Sequence, residues 1–154
     1  KKSVKLSDFI SRVQQTYEEK AVDFIAVFDK DKRLIISEDA LSGAIANLID
    51  NALDAIDAEG RIVCEFILQP NQGLLISIKD QGLGLSVEQQ KHIFDPFYTN
   101  KINGTGLGLA VVKQVVEAHA GRVTCVSEVG LGTTMTLTLP VIAPPLNQQP
   151  IRSV

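Results

Sequence analysis

Apolar residues recur every three or four positions through one stretch of this chain without a miss: Leu41, Ala44, Ile45, Leu48, Ile49, Ala52, Leu53 and Ile56. That is the period of a helix with one buried face. Ser37-Glu38-Asp39 opens it, and Glu59-Gly60 is expected to close it, with Gly60 as a left-handed cap. A second helix is predicted over residues 7–19, where Ser7-Asp8 supply a cap and Phe9, Ile10, Val13 and Tyr17 share a face. Residues 107–119 predict a third, closed by Gly121. Ser86-Val87-Glu88-Gln89 reads as a short capped helix, with Glu at or near the third position after Ser.

Between the helices lie β-rich runs. Residues 22–28 and 33–36 flank Asp29-Lys30-Asp31-Lys32 and predict a hairpin. Residues 61–68 and 74–79 flank a turn at Pro70-Asn71-Gln72-Gly73, and residues 122–127 and 133–139 flank Gly130-Leu131-Gly132. Residues 92–105 have no period and read as a loop; from Ala143-Pro144-Pro145 onward the chain reads as a frayed, disordered tail. The order predicts an α/β two-layer sandwich, with about three main helices on one face of a mixed, mostly antiparallel sheet. Residues 1–140 form a single domain in this reading, and no internal repeat is visible.

Composition narrows the function. The chain has 154 residues, enough for a real core. A net charge of −3 gives no basic footprint, so a nucleic-acid partner is not expected. No apolar run reaches bilayer length and no signal-peptide pattern opens the chain. It begins Lys1-Lys2 without Met, as expected of a piece of something longer. Cys64 and Cys125 lie in strand-like stretches without metal spacing, as free thiols of a cytosolic protein do.

Three polar features stand out. Asn47, Asn51 and Asp54, spaced four then three, form one stripe bordering the apolar face of the long helix, with Asp50 and Asp57 further toward solvent. A solvated face is the plain reading of such a stripe. Asn is a poor helix former, however, and a border amide oxygen is a hard, neutral ligand of the kind Mg²⁺ accepts beside phosphate oxygens. Asp80 ends a strand just before Gly82 and Gly84; its carboxylate can accept from an exocyclic amine, and the glycines allow a flat ligand close to the backbone. Gly104-Thr105-Gly106-Leu107-Gly108 opens a helix, where free N–H groups and the dipole favour an anion, with Lys101 nearby. It is neither a dinucleotide fingerprint nor a P-loop, because it follows a long loop and no Lys-Ser or Lys-Thr follows it.

Together and in this order, these segments resemble the catalytic ATP-binding domain of bacterial sensor histidine kinases, in the ATPase superfamily shared with gyrase and mismatch-repair ATPases. Residues 47–55, Asn-Leu-Ile-Asp-Asn-Ala-Leu-Asp-Ala, resemble its asparagine box. Asp80-Gln81-Gly82-Leu83-Gly84 resembles the first glycine box, and Ile93-Phe94-Asp95-Pro96-Phe97-Tyr98 the phenylalanine box. Gly104-Thr105-Gly106-Leu107-Gly108-Leu109 resembles the second glycine box, and Gly130-Leu131-Gly132-Thr133 also fits. The resemblance covers residues 38–140 well and is nearest to nitrogen-regulator-type kinases. It implies a Bergerat-type fold that binds Mg²⁺-ATP and donates its γ-phosphoryl group to a histidine.

By position, the resemblance implies that Asn51 holds Mg²⁺ with Asn47 close to the phosphates, and that Asp80 binds the adenine amine in a pocket shaped by Gly82 and Gly84. It makes residues 92–105 a mobile lid, with Gly104, Thr105, Gly106, Leu107 and Gly108 at the phosphates and Lys101 a phosphate contact. Phe94 and Phe97 would pack that lid or dock a phosphoacceptor domain. Asp54 stands where many sensor kinases carry a basic residue. The hydrolysing branches place a Glu one turn before the Mg²⁺ asparagine; here that position is Asn47, and an amide is no general base at neutral pH. That favours transfer to a neutral imidazole over hydrolysis. The acceptor histidine would sit on a separate helical dimerisation domain, since His92 and His119 lack its context; His119 would suit a helix end as a cation. The expected partners are that domain and, indirectly, a response regulator, with this domain monomeric and cytoplasmic and not autophosphorylating alone. An anti-sigma-type serine kinase and a nucleotide-gated interaction module without transfer remain as alternatives.

Overall fold

The computed structural model describes residues 1–29, 31–70, 72–99 and 108–140. In chain order the elements are β1 (Lys2–Lys5), α1 (Leu6–Thr16), β2 (Val22–Val27), β3 (Arg33–Ile36), α2 (Glu38–Ala55), β4 (Ile62–Gln69) and β5 (Gly73–Asp80). They continue with α3 (Val87–Gln90), α4 (Gly108–Ala118), β6 (Arg122–Glu128) and β7 (Gly132–Leu139). Five strands form one sheet in the order β2-β4-β5-β7-β6; β2 runs parallel to β4 and every other pair is antiparallel.

The sheet buries one face under the helices. In β4, Ile62, Cys64 and Phe66 are buried, while Val63, Glu65 and Ile67 between them are less so. In β5 the same alternation buries Leu74, Ile76 and Ile78. Helices α2 and α4 pack on that face and on each other, with Leu41, Ile45, Leu48 and Ile49 of α2 and Val112 and Val116 of α4 in a single core. Each fully buried side chain of this size stabilises the fold by roughly 1.5–3 kcal/mol. Period two carries past the apolar residues: Asp80 falls in phase with Ile78 and is itself buried, 7% exposed. The strand's own geometry therefore aims a carboxylate at the helix layer.

Several expectations are corrected. Residues 22–28 and 33–36 do not form a hairpin. The turn is made, with the Lys32 N–H donating to the Asp29 carbonyl at 3.1 Å, but the strands part beyond it. β2 lies along β4, from Val22 opposite Ile62 to Val27 opposite Ile67. β3 pairs with β1, a strand absent from the reading, in a separate two-stranded sheet that buries Val4, Leu34 and Ile36. An alternating run states which face is buried and not which strand lies beside it.

Helix ends also differ. α1 starts after Lys5, which makes no side-chain cap; Ser7 and Asp8 lie inside the first turn. α2 ends at Ala55, with Ile56 already extended at φ −99° and ψ 159°. Beyond it, Asp57 accepts the Glu59 N–H at 3.1 Å, a local bond that competes with further helix, and Gly60 is no left-handed cap. α4 closes through Ala120, at φ 58°, and not Gly121, whose N–H donates back to the Val116 carbonyl. The capping box at Ser86 is present, with Gln89 and not Glu88 returning the second bond. The predicted tail lies outside the described residues.

Candidate functional site

A cavity of about 550 Å³ opens between α2, α4 and the ends of β5 and β7. Its polar wall includes Asn51, Asp54, Asp80 and Thr133, and its apolar wall Leu48, Ala52, Ile78 and Met135. The size and the mix suit a small ligand of mainly apolar body with a few fixed polar groups.

Asp80 is held from behind. Its Oδ1 accepts the Gly82 N–H at 2.9 Å and the Thr133 N–H at 3.3 Å. Burial pushes the Asp80 carboxyl above its ordinary range, and these two backbone donors pull part of the way back. Asn51 and Asp54, three apart on α2, both line the cavity, Asn51 half-buried and Asp54 exposed at the mouth. The border position read from the helical period is where the stripe lies. Asn47 is half-buried one turn earlier, and its Nδ2 donates to the Gly108 carbonyl at 3.4 Å, tying α2 to the start of α4.

The glycines split. Gly84 lines the cavity at φ 74°, and a Cβ there would sit 2.1 Å from the Glu128 carbonyl oxygen. Gly82 is not in the wall; a Cβ on it would meet the Ala55 carbonyl oxygen at 2.4 Å. Their close neighbours are other parts of the protein's backbone, which lets the loop after Asp80 sit tight against α2 and β6. Gly108 lines the cavity at the first residue of α4. Lys101, Gly104, Thr105, Gly106 and Leu107 lie outside the described residues.

Sequence reasoning did not pick out the apolar wall; Ile93, Tyr98 and Thr99, expected only as part of the segment over the site, line the cavity from the loop after α3. The signal for Ile78 and Met135 was their strand phase beside Asp80 and Thr133. Phe94 packs half-buried on the core, whereas Phe97 is 76% exposed with φ 69°.

Among the described residues no group of three His, Cys, Asp or Glu gathers to hold a metal. On α2 the cavity is offered hard oxygens by the Asn51 amide and the Asp54 carboxylate, a donor set that fits Mg²⁺, which needs only one or two protein oxygens beside phosphate and water.

The two histidines lie away from the wall. His119 is buried, 4% exposed; its Nδ1 donates to the Val115 carbonyl at 2.7 Å and its Nε2 accepts the Ser37 N–H at 3.0 Å. One donor and one acceptor is the pattern of a neutral ring, so the expected cation at the helix end is replaced by a bridge between α4 and α2. His92 is exposed between Asp95, at 3.0 Å, and Glu88, at 3.4 Å. The Asp95 bond first, then Glu88, raises its pKa.

Cys64 is buried and Cys125 half-buried, both free; burial pushes the Cys64 thiol up to about 12. Among the described residues no helix is long and apolar enough to cross a membrane.

Comparison with known proteins places this geometry. The chain is 40% identical over 121 residues to the signal transduction histidine-protein kinase AtoS of Escherichia coli, a match covering 78% of this chain and 20% of AtoS. It is 37% identical over 143 residues to the sensor histidine kinase WalK of Bacillus subtilis, covering 88% of this chain and 23% of WalK. The chain thus spans about a fifth of the length of these curated relatives. The catalytic domain of the histidine kinase ThkA, in a nucleotide-free form, superposes with a TM-score of 0.77 at 26% identity, covering 90% of this chain and 94% of that domain. The mycobacterial sensor histidine kinase MprB superposes at 0.75 with 25% identity, covering 91% of this chain and 97% of that one. Residues 36–143 match the family that takes in every element around the cavity, and the chain belongs to it: the histidine kinase-, DNA gyrase B- and HSP90-like ATPases.

Proposed function

We propose that residues 1–140 form the ATP-binding catalytic unit of a sensor histidine kinase, which donates the γ-phosphoryl group of Mg²⁺-ATP to a histidine on a separate dimerisation domain. The observation that carries this is the convergence of Asn51, Asp80 and Gly108, from three distant segments, on one cavity. The relatives named as sensor histidine kinases, and the family's ATPase description, support it.

In this reading Asp80 accepts the exocyclic amine of adenine, and Leu48, Ala52, Ile78 and Met135 enclose the base. Gly84 keeps the loop beside it close. Asn51, with Asp54 beside it, offers oxygen to Mg²⁺, which when bound neutralises charge on the phosphates. The N–H groups at Gly108 and Leu109, at the start of α4, serve the triphosphate in this reading, and the family resemblance adds Gly104, Thr105, Gly106, Leu107 and Lys101, which lie outside the described residues, as phosphate contacts. Asn47 holds Gly108 in place and offers no base to activate water. The acceptor imidazole brings its own lone pair: its nitrogen forms a bond to the γ-phosphorus as the bridging oxygen leaves with ADP. The exposed Phe97 is offered to the acceptor domain, and a response regulator would take the phosphoryl group next.

Mg²⁺-ATP at a hundred times its dissociation constant should raise the melting temperature by about 5–10 °C. Asn51→Ala or Asp80→Asn should abolish the shift; an unchanged shift in both removes the site assignment. Mixed with a kinase dimerisation domain, the protein should produce an acid-labile phosphate. Acid-stable phosphate would indicate a serine kinase, and no transfer to any acceptor domain a nucleotide-gated module.

A further inference from the structure

Asp80, Thr133 and Ser127 stand side by side across three strands: Asp80 opposite Thr133, and Thr133 opposite Ser127. Asp80 and Thr133 line the cavity; Ser127 stands behind them. Its hydroxyl is crowded with partners. Oγ accepts the Leu85 N–H at 2.7 Å, lies 2.9 Å from the Gly132 carbonyl oxygen, and lies 2.7 Å from Thr133 Oγ1.

The proton count in this cluster has one consistent solution. A serine hydroxyl has one proton and two lone pairs. The Leu85 N–H fills one lone pair. The Gly132 carbonyl can only accept, so it takes the Ser127 proton. The remaining Ser127 lone pair then accepts the proton of the Thr133 hydroxyl. Thr133 Oγ1 is left with lone pairs alone for the cavity, beside the acceptor Asp80.

Resting on the adenine reading of this cavity, we propose that Ser127 is a positioning residue for base selection. By drawing the Thr133 proton away, it makes the Asp80–Thr133 wall acceptor-only. Such a wall welcomes an exocyclic amine, which brings two N–H donors, and repels a carbonyl at the same place on the purine. Without the Ser127 hydroxyl, Thr133 is free to turn its proton into the cavity, where it can serve a carbonyl.

The test compares ATP with inosine triphosphate, which differs in carrying a carbonyl in place of the amine, by titration calorimetry on the full chain. Ser127→Ala should narrow the ATP preference about tenfold, the scale of one buried hydrogen bond. Ser127→Thr keeps the hydroxyl and should restore it. Gln90 provides a structural comparator, because its Nε2 joins the same segments through the Leu85 and Ser127 carbonyls, at 3.0 and 3.1 Å. Gln90→Ala should lower stability and leave the preference intact. Equal narrowing in Gln90→Ala and Ser127→Ala, or none in Ser127→Ala, overturns the proposal. If Ser127→Ala does not fold, Thr133→Val removes the oriented hydroxyl at constant shape, and an unchanged preference there overturns it too. Asp80→Asn separates the two levels: if it keeps the wild-type preference, the adenine reading fails; if it loses it while Ser127→Ala does not, only the role of Ser127 fails.

Discussion

The Asn47 side-chain amide donates to the Gly108 carbonyl across 61 residues of sequence, joining the middle of α2 to the first residue of α4. The donor nitrogen is what the contact needs. Asn47→Asp would set a carboxylate against a carbonyl oxygen and should destabilise the fold by about 1–3 kcal/mol. ATP affinity should fall with it, because the start of α4 loses its anchor. Urea denaturation and calorimetry on the same protein check both; unchanged stability would show that the bond is not formed in solution.

Asp80 should show function held at a cost to stability. Its folded pKa is raised, chiefly by burial, so the folded state holds this proton more tightly than the unfolded state does. The sign follows: stability falls as pH rises from the ordinary carboxylate range through the folded value, and the ionised form carries the full penalty above it. Asp80→Asn removes the charge and keeps an acceptor for Gly82 and Thr133. Its melting temperature without nucleotide should not fall at pH 8, while its affinity for ATP drops by about a hundredfold or more. A large loss of stability would contradict the burial argument.

His92 titrates in the same sense, through neighbouring carboxylates instead of burial. Its pKa is raised by Asp95 and then Glu88, so its contribution is full below the unfolded histidine value and is lost as pH rises through the folded one. NMR titration should place His92 above 6.5, its ordinary value. Asp95→Asn should lower it more than Glu88→Gln. The reverse order would mean that the Glu88 contact dominates in solution.

Tyr17 ties α1 to α2 by donating its hydroxyl to Asp50 Oδ1 at 3.0 Å. Burial first, then that bond, raises the Tyr17 pKa. Tyr17→Phe should cost about 1 kcal/mol, and Asp50→Asn less, since an amide oxygen still accepts. A double-mutant cycle by urea unfolding measures the coupling.

What was legible in the sequence had a period. The face of α2 follows from its apolar spacing, and Asp80 is buried because β5 alternates. The hairpin mistaken between β2 and β3 shows the limit: the same alternation fits any neighbour, and the neighbours of β2 and β3 come from distant segments. The spacing of Gly82 and Gly84 points to a flat ligand against the backbone; what approaches them in the fold is the carbonyl of Ala55 or Glu128. Ser127 carried no signal at all. A serine in a strand is unremarked until the fold brings Leu85, Gly132 and Thr133 to its hydroxyl.

The His119 bridge has a mechanical consequence. It pins the far end of α4 to the start of α2, while the near end of α4 borders the cavity. Eleven residues separate the imidazole from Gly108, a lever arm of about 16 Å. A rotation of about 10° around that fulcrum carries Gly108 about 3 Å, the difference between a backbone amide in contact with an anion and one a water molecule away.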